Sequence, residues 1–269
     1  MKTLHVAILG TGIGLWAVGA NAAVMTFQEG LNGYKGTEDA TLNNYLGQRD
    51  WNAGDIVLKN NHHVFLVGTF RKDSTRTSLI RFDVSALAGK YQSIDSMTLP
   101  LNVEQIPVSG LDMSVKLLRE ENVWGEGNKN QTNADPGEAT WNNAQHPSTS
   151  WLGATGAQGS GDVYGVVATS GTPSGTLTLD ITAPGNGIDS LTDMVDLWNG
   201  VANNGFVLDY KNDVGVTYFY SSEDSAIDLR PQLTIEYTPP TSVPEPSAYG
   251  FVLLGMAGAY GFFRRRRNG

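Results

Sequence analysis

The side chains able to do chemistry in this chain are carboxylates, tryptophans and a few histidines; there is no cysteine. Glu38–Asp39, Glu120–Glu121, Glu126, Asp209, Asp213 and Glu223–Asp224 are the obvious acid–base groups. Glycosidic hydrolysis needs two carboxyl groups about 5–9 Å apart, one with its pKa raised by burial. Nothing in the sequence marks any of these pairs as buried. No GxSxG motif is present either, and the histidines outside the N-terminus are His62, His63 and His146. Neighbours such as His62 and His63 point to opposite faces of an extended chain, so they do not grip one ion together. The reading is a non-catalytic protein.

Two binding chemistries remain. Glu38, Asp39, Asp209, Asp213 and Asp228 are oxygen donors on or beside turns, and Ca²⁺ takes about six to eight oxygens, many of them from backbone carbonyls. These five are the candidate ligands of a structural Ca²⁺; the alternative is that each bonds its own turn. Trp124, Trp141 and Trp151 lie in one polar stretch with Asn128, Asn130, Asn142 and Asn143. Flat indole faces stack on sugar rings and the amides supply hydrogen bonds, so the three are candidate glycan-binding residues. The alternative is that they are packing anchors, since tryptophan is usually well buried.

These groups need a scaffold. The chain has 269 residues, 40% of them hydrophobic, enough for one large all-β core. With no cysteine, disulfides and thiolate metal sites are excluded. Apart from residues 1–22 and 244–269, 13 basic side chains face 26 acidic ones, a balance of −13. So acidic a body repels phosphate backbones and disfavours nucleic-acid binding.

Period-two alternation predicts strands at Met97–Leu99–Leu101–Val103, Met113–Val115–Leu117 and Leu233–Ile235–Tyr237. Pro100 places its strand at an edge or a bulge. Ile80, Phe82 and Val84 face one way and Leu79 the other, so the outer face of that strand is partly covered as well. One helix is signalled by Ser190 as cap, Asp193 as its capping-box partner, and an apolar stripe of Leu191, Met194, Val195 and Trp198, with Gly200 as its end. Residues 120–161 break every period. A loop of that length in a compact domain is uncommon unless it has a function.

The string YFYSSEDSAIDLRPQLTIEY, preceded by WNGVANNGFVL, resembles the closing part of the DNRLRE domain family. TFQEGLNGYKGTEDATL, TSLIRFDVSAL, VWGEG and ATWNNA agree with that family in order, over roughly residues 25–237. The resemblance implies an extracellular antiparallel two-sheet β-sandwich, jelly-roll-like with one short helix, of a kind that includes carbohydrate-binding modules.

Both ends read as export signals. Residues 1–22 carry Lys2, an apolar run and Ala20–Asn21–Ala22, the pattern of a secretory signal peptide. Residues 238–247 are a proline-rich linker ending in Pro244–Glu245–Pro246. Residues 248–269 are an apolar run closed by Arg264, Arg265, Arg266 and Arg267. This tripartite tail resembles a PEP-CTERM sorting signal. The resemblance implies exosortase-type sorting machinery as a partner, transient anchoring in the cytoplasmic membrane through the C-terminal helix, and a final place in the cell envelope or extracellular matrix. The whole chain is therefore expected to be an exported, non-catalytic module over residues 23–237 that engages exopolysaccharide. The alternatives are a structural or adhesive matrix protein without a defined ligand and, last, a polysaccharide-degrading enzyme.

Overall fold

Alternating apolar residues become strands through most of the computed structural model, which describes residues 21–241 apart from 59, 70–73, 106–111, 172–173 and 211–214. The strands are β1 (Ala23–Gln28), β2 (Thr37–Asn43), β3 (Trp51–Asn52), β4 (Ile56–Val57), β5 (His63–Thr69), β6 (Thr75–Phe82), β7 (Ser93–Gln105) and β8 (Met113–Leu118). Three short ones follow, β9 (Thr132–Asn133), β10 (Asn143–Gln145) and β11 (Thr149–Ser150), then β12 (Val163–Ser170) and β13 (Thr176–Asp180). Helix α1 (Leu191–Gly200) precedes β14 (Phe206–Tyr210), β15 (Gly215–Tyr220) and β16 (Gln232–Thr238).

All pairings are antiparallel. One path runs β1-β16-β7-β15-β5-β6-β14-β8-β12, with β13 on β7, β2 on β6 and β4 on β5. The expectation of two sheets is met in a modified form: a single curled sheet, continuous through β7. That strand pairs with β16 up to Thr98, with β13 over Thr98–Asn102, and with β15 from Val103. Pro100 has Thr178 of β13 as its one strand partner, the half-edge position that a residue without an N–H tolerates.

The two arms of the sheet share a core. Phe27, Met97 and Leu233 from one arm meet Phe65, Ile80 and Phe219 from the other. On β16, Leu233, Ile235 and Tyr237 are buried, while Gln232, Thr234 and Glu236 are half-buried. The arrangement is β-sandwich-like.

Strand β6 is covered on both faces. Ile80 and Phe82 enter the main core, and Leu79 enters a second one with Leu42, Val207, Trp124, Trp141 and Trp151. The stretch without periodicity is therefore a layer laid over the outer face of β2, β6 and β14. It bears its own short pairings, β10 with β11 and β9 with β3.

Helix α1 begins as read. Ser190 Oγ accepts from Asp193 N–H at 3.0 Å and the Asp193 carboxylate accepts from Ser190 N–H at 2.9 Å. Met194, Val195 and Trp198 are buried against the main core. Among the described residues no helix is long and apolar enough to cross a membrane. The N-terminal segment and the tail bearing Pro244, Glu245, Pro246 and Arg264–Arg267 lie outside them.

Candidate metal centre

Asp39, Glu126 and Glu223 bring one carboxylate oxygen each within 4.8 Å of one another. Asp39 sits mid-strand on β2 opposite Ile80 and is 1% exposed. Glu126 comes from the overlying layer, and its Oε1 accepts from Asp39 N–H at 2.7 Å. Glu223 follows β15, where buried Ser221 and Ser222 turn the chain. Ser222 N–H donates to Asp39 Oδ2 at 2.8 Å, and Ser222 Oγ donates to Glu223 Oε1 at 2.6 Å. The second oxygen of Glu223 is buried with no hydrogen-bond partner.

The backbone around Glu126 is pinned by Asn52, which is fully buried. Its Nδ2 donates to Glu126 O at 2.6 Å and to Ala139 O at 3.1 Å, and its Oδ1 accepts from Lys129 N–H at 3.1 Å. Gly127 makes this approach with φ +77, and a Cβ there would fall 2.4 Å from Asn52 Oδ1. Only glycine fits that position.

Three carboxylates this close cannot all ionise without a counter-charge. Burial, then the neighbouring carboxylates, push Asp39 well above the ordinary carboxylate range. Burial, with Asp39 and Glu223 next, raises Glu126 to about 10, and burial raises Glu223. Either protons or a cation must supply the missing positive charge. A hard divalent ion with oxygen ligands fits this donor set.

The five residues read as Ca²⁺ ligands do not assemble together. Glu38 and Asp39 are adjacent on a strand and face opposite ways; Glu38 pairs with Arg81. Asp209 accepts from Lys116 Nζ and from Gln158 Nε2, both at 3.0 Å. Asp228 is exposed on a turn of 3₁₀ helix, and Asp213 lies outside the described residues. Asp39 alone enters the cluster, with Glu126 and Glu223 in place of the others. The histidines divide as adjacent residues should: His62 Nδ1 is 3.2 Å from Asp224 Oδ2, and His63 Nδ1 is 2.5 Å from Asp55 Oδ1.

The three tryptophans are packing anchors, and none turns a face to solvent. Trp124 is 1% exposed, and its Nε1 donates to Asn204 O at 2.9 Å. The Arg81 guanidinium lies 4.4 Å from its ring centre. Trp141 and Trp151 are 5% and 6% exposed. Trp151 Nε1 donates to Thr140 O at 3.0 Å. Stacking on a sugar requires an open ring, so the glycan role expected of these residues gives way to their role in the second core. Trp151→Phe keeps most of the volume but leaves the Thr140 carbonyl without its donor. A stability loss of about 2 kcal/mol is expected from the urea midpoint, and an unchanged midpoint would mean that the bond to Thr140 contributes nothing.

No family model matches this chain, and no curated protein matches it.

Proposed function

We propose that this chain is an exported, non-catalytic β-sandwich module of jelly-roll type that engages polysaccharide at the cell envelope or in the extracellular matrix. In this reading Asp39, Glu126 and Glu223 hold a structural Ca²⁺, and the Pro-Glu-Pro, apolar and arginine segments of the tail direct sorting by exosortase-type machinery. The observation that carries the non-catalytic reading is the placing of the carboxylates. Of the three that approach closely, Asp39 is buried and Glu126 and Glu223 are half-buried, and none lines either of the cavities of about 390 and 510 Å³ at the surface. A glycosidic bond needs its acid and base on an open cleft. The excess of acidic over basic side chains speaks against a nucleic-acid partner.

A structural or adhesive matrix protein without a defined ligand is the second reading, favoured by the burial of Trp124, Trp141 and Trp151. Electrophoresis through native gels containing polysaccharides separates the two. Retardation by at least one polysaccharide is expected, and uniform mobility in all of them would leave the second reading. Incubation with the same polymers is expected to release no reducing ends; their appearance would make the protein an enzyme.

A further inference from the structure

The larger of those two cavities, about 510 Å³, is of a size that holds small ligands, whose sites span about 300–1,000 Å³. It opens where the turn after β2 and the segment before β9 meet the sheet face formed by β4, β5, β6 and β15. Its lining is chemically mixed: Tyr45, Tyr218, Gln48, Gln131 and Arg76 around a floor that includes Leu66. No aspartate or glutamate is among the described lining residues, although the chain carries a net charge of −9.

We infer that this groove is the sugar subsite of the protein, taking one pyranose residue of a polysaccharide with its ring against the tyrosines and an acceptor group directed to Arg76. The inference rests on the polysaccharide-binding reading above and supplies the place that the buried tryptophans do not. Tyr45 is 47% exposed, belongs to none of the cores, and offers the open aromatic surface that stacking needs. Its turn is held by hydrogen bonds with Asn43. Asn43, 1% exposed, accepts from Tyr45 N–H at 2.8 Å through Oδ1 and donates to Gln48 Oε1 at 2.8 Å through Nδ2. The Gln48 oxygen is thereby occupied, and its NH₂ group remains as the donor.

Across the groove, Gln131 is held in the left-handed region at φ 54, a conformation that costs energy for a residue with a side chain. The pairing of β9 with β3 immediately after it fixes that geometry. Arg76 is 7% exposed, and its Nη1 donates to Ser74 Oγ at 2.9 Å, which orients the guanidinium at the cavity wall. Burial pushes its pKa down to about 10. A guanidinium donates to a carboxylate, whose geometry its fork matches, and also to hydroxyl oxygens. A uronic acid and a neutral hexose therefore share this chemistry.

The test is calorimetric titration of the full chain with hexagalacturonate and with cellohexaose, repeated on Tyr45→Ala and Gln131→Gly. The second variant tolerates the left-handed backbone and removes the whole side chain, amide included. Binding of at least one hexasaccharide is expected, with each variant weakening it tenfold or more at an unchanged melting temperature. Binding of hexagalacturonate alone assigns a carboxylate to Arg76, and binding of cellohexaose assigns hydroxyls. Binding that both variants leave within twofold would overturn the groove while the polysaccharide reading stands. Failure of the unaltered chain to bind either sugar would overturn the groove, and uniform mobility in the polysaccharide gels would overturn the reading it rests on.

Discussion

Asp162→Ala is expected to lower stability by on the order of 5 kcal/mol, the largest single loss foreseen for this fold. The side chain is fully buried and supports the layer that covers β2, β6 and β14. Its Oδ1 accepts from Gly153 N–H at 2.8 Å, and its Oδ2 accepts from Ala154 N–H at 2.8 Å and Gly159 N–H at 2.9 Å. Hydrogen bonds to a carboxylate are worth about 1.5–3 kcal/mol each, and removing the acceptor leaves three backbone donors without it. The backbone wraps so tightly that a Cβ on Gly153 would lie 2.8 Å from Asp162 Oδ2, so other side chains do not fill the gap. The main chain of Asp162 is engaged too, its carbonyl accepting from Arg119 N–H at 2.9 Å and from Asn122 Nδ2 at 3.0 Å. Asp162→Asn, which offers one acceptor oxygen to three donors, should give an intermediate loss. Urea unfolding and limited proteolysis across residues 120–161 read the effect. A variant with the parent midpoint and cleavage pattern would show that the layer is held by its tryptophans alone.

Removing divalent cations is expected to cost about 3 kcal/mol near pH 8, the gain that a ligand gives at somewhat over a hundred times its Kd, and little near pH 5. The sign follows from the three carboxylates. In the metal-free protein their folded pKa values lie above those of the unfolded chain, about 4, with Glu126 at about 10. Their contribution is thus fully present below about pH 4 and is lost as pH rises toward the folded values. Asp55, whose charge adds to the repulsion on Asp39 and Glu223, acts in the same direction. Ca²⁺ reverses the trend, because it binds the ionised forms that a rising pH provides. Asp224 opposes the trend at the acid end. Its burial raises it, but bonds from Ala226 N–H, His63 N–H and the His62 ring outweigh that and hold it below the ordinary range. Its contribution disappears as pH falls through its folded value. Melting temperatures in chelator and in a few millimolar CaCl₂ across this range test the site. Identical values near pH 8, with no heat in a calorimetric titration, would mean that protons and not a cation neutralise the cluster.

Much of the scaffold could be read from period-two patterns. The inward set Leu233, Ile235 and Tyr237, the double coverage of β6 and the Ser190–Asp193 box all follow from residues close together in sequence, where the backbone alone dictates which way a side chain points. The carboxylate cluster is not legible in the same way. Asp39 was visible as a carboxylate on a strand, but its partners arrive from distant loops, and alternation does not encode which loop covers which strand. The clue was local and easily passed over: Glu126 stands between Gly125 and Gly127, and Gly127 buys the close approach of that backbone to Asn52. The tryptophans stay open between stacking and packing in the sequence, because residue type says that an indole is useful, not whether it faces in or out. In residues 120–161 the irregular backbone removes the periodicity that would have told. The groove at Tyr45 is hidden from sequence for a related reason, since its walls come from the turn after β2, the segment before β9 and strands β6 and β15.

The first and last strands of the described body lie side by side, with Ala23 opposite Tyr237. Bonds between antiparallel neighbours run across the strands, so tension drawn between those two residues loads them one after another, as in opening a zip. Tension along β16 alone meets β1 on one flank and β7 on the other and must shear both rows at once. Held by a single end, the module is therefore mechanically strong; pulled from both, it peels.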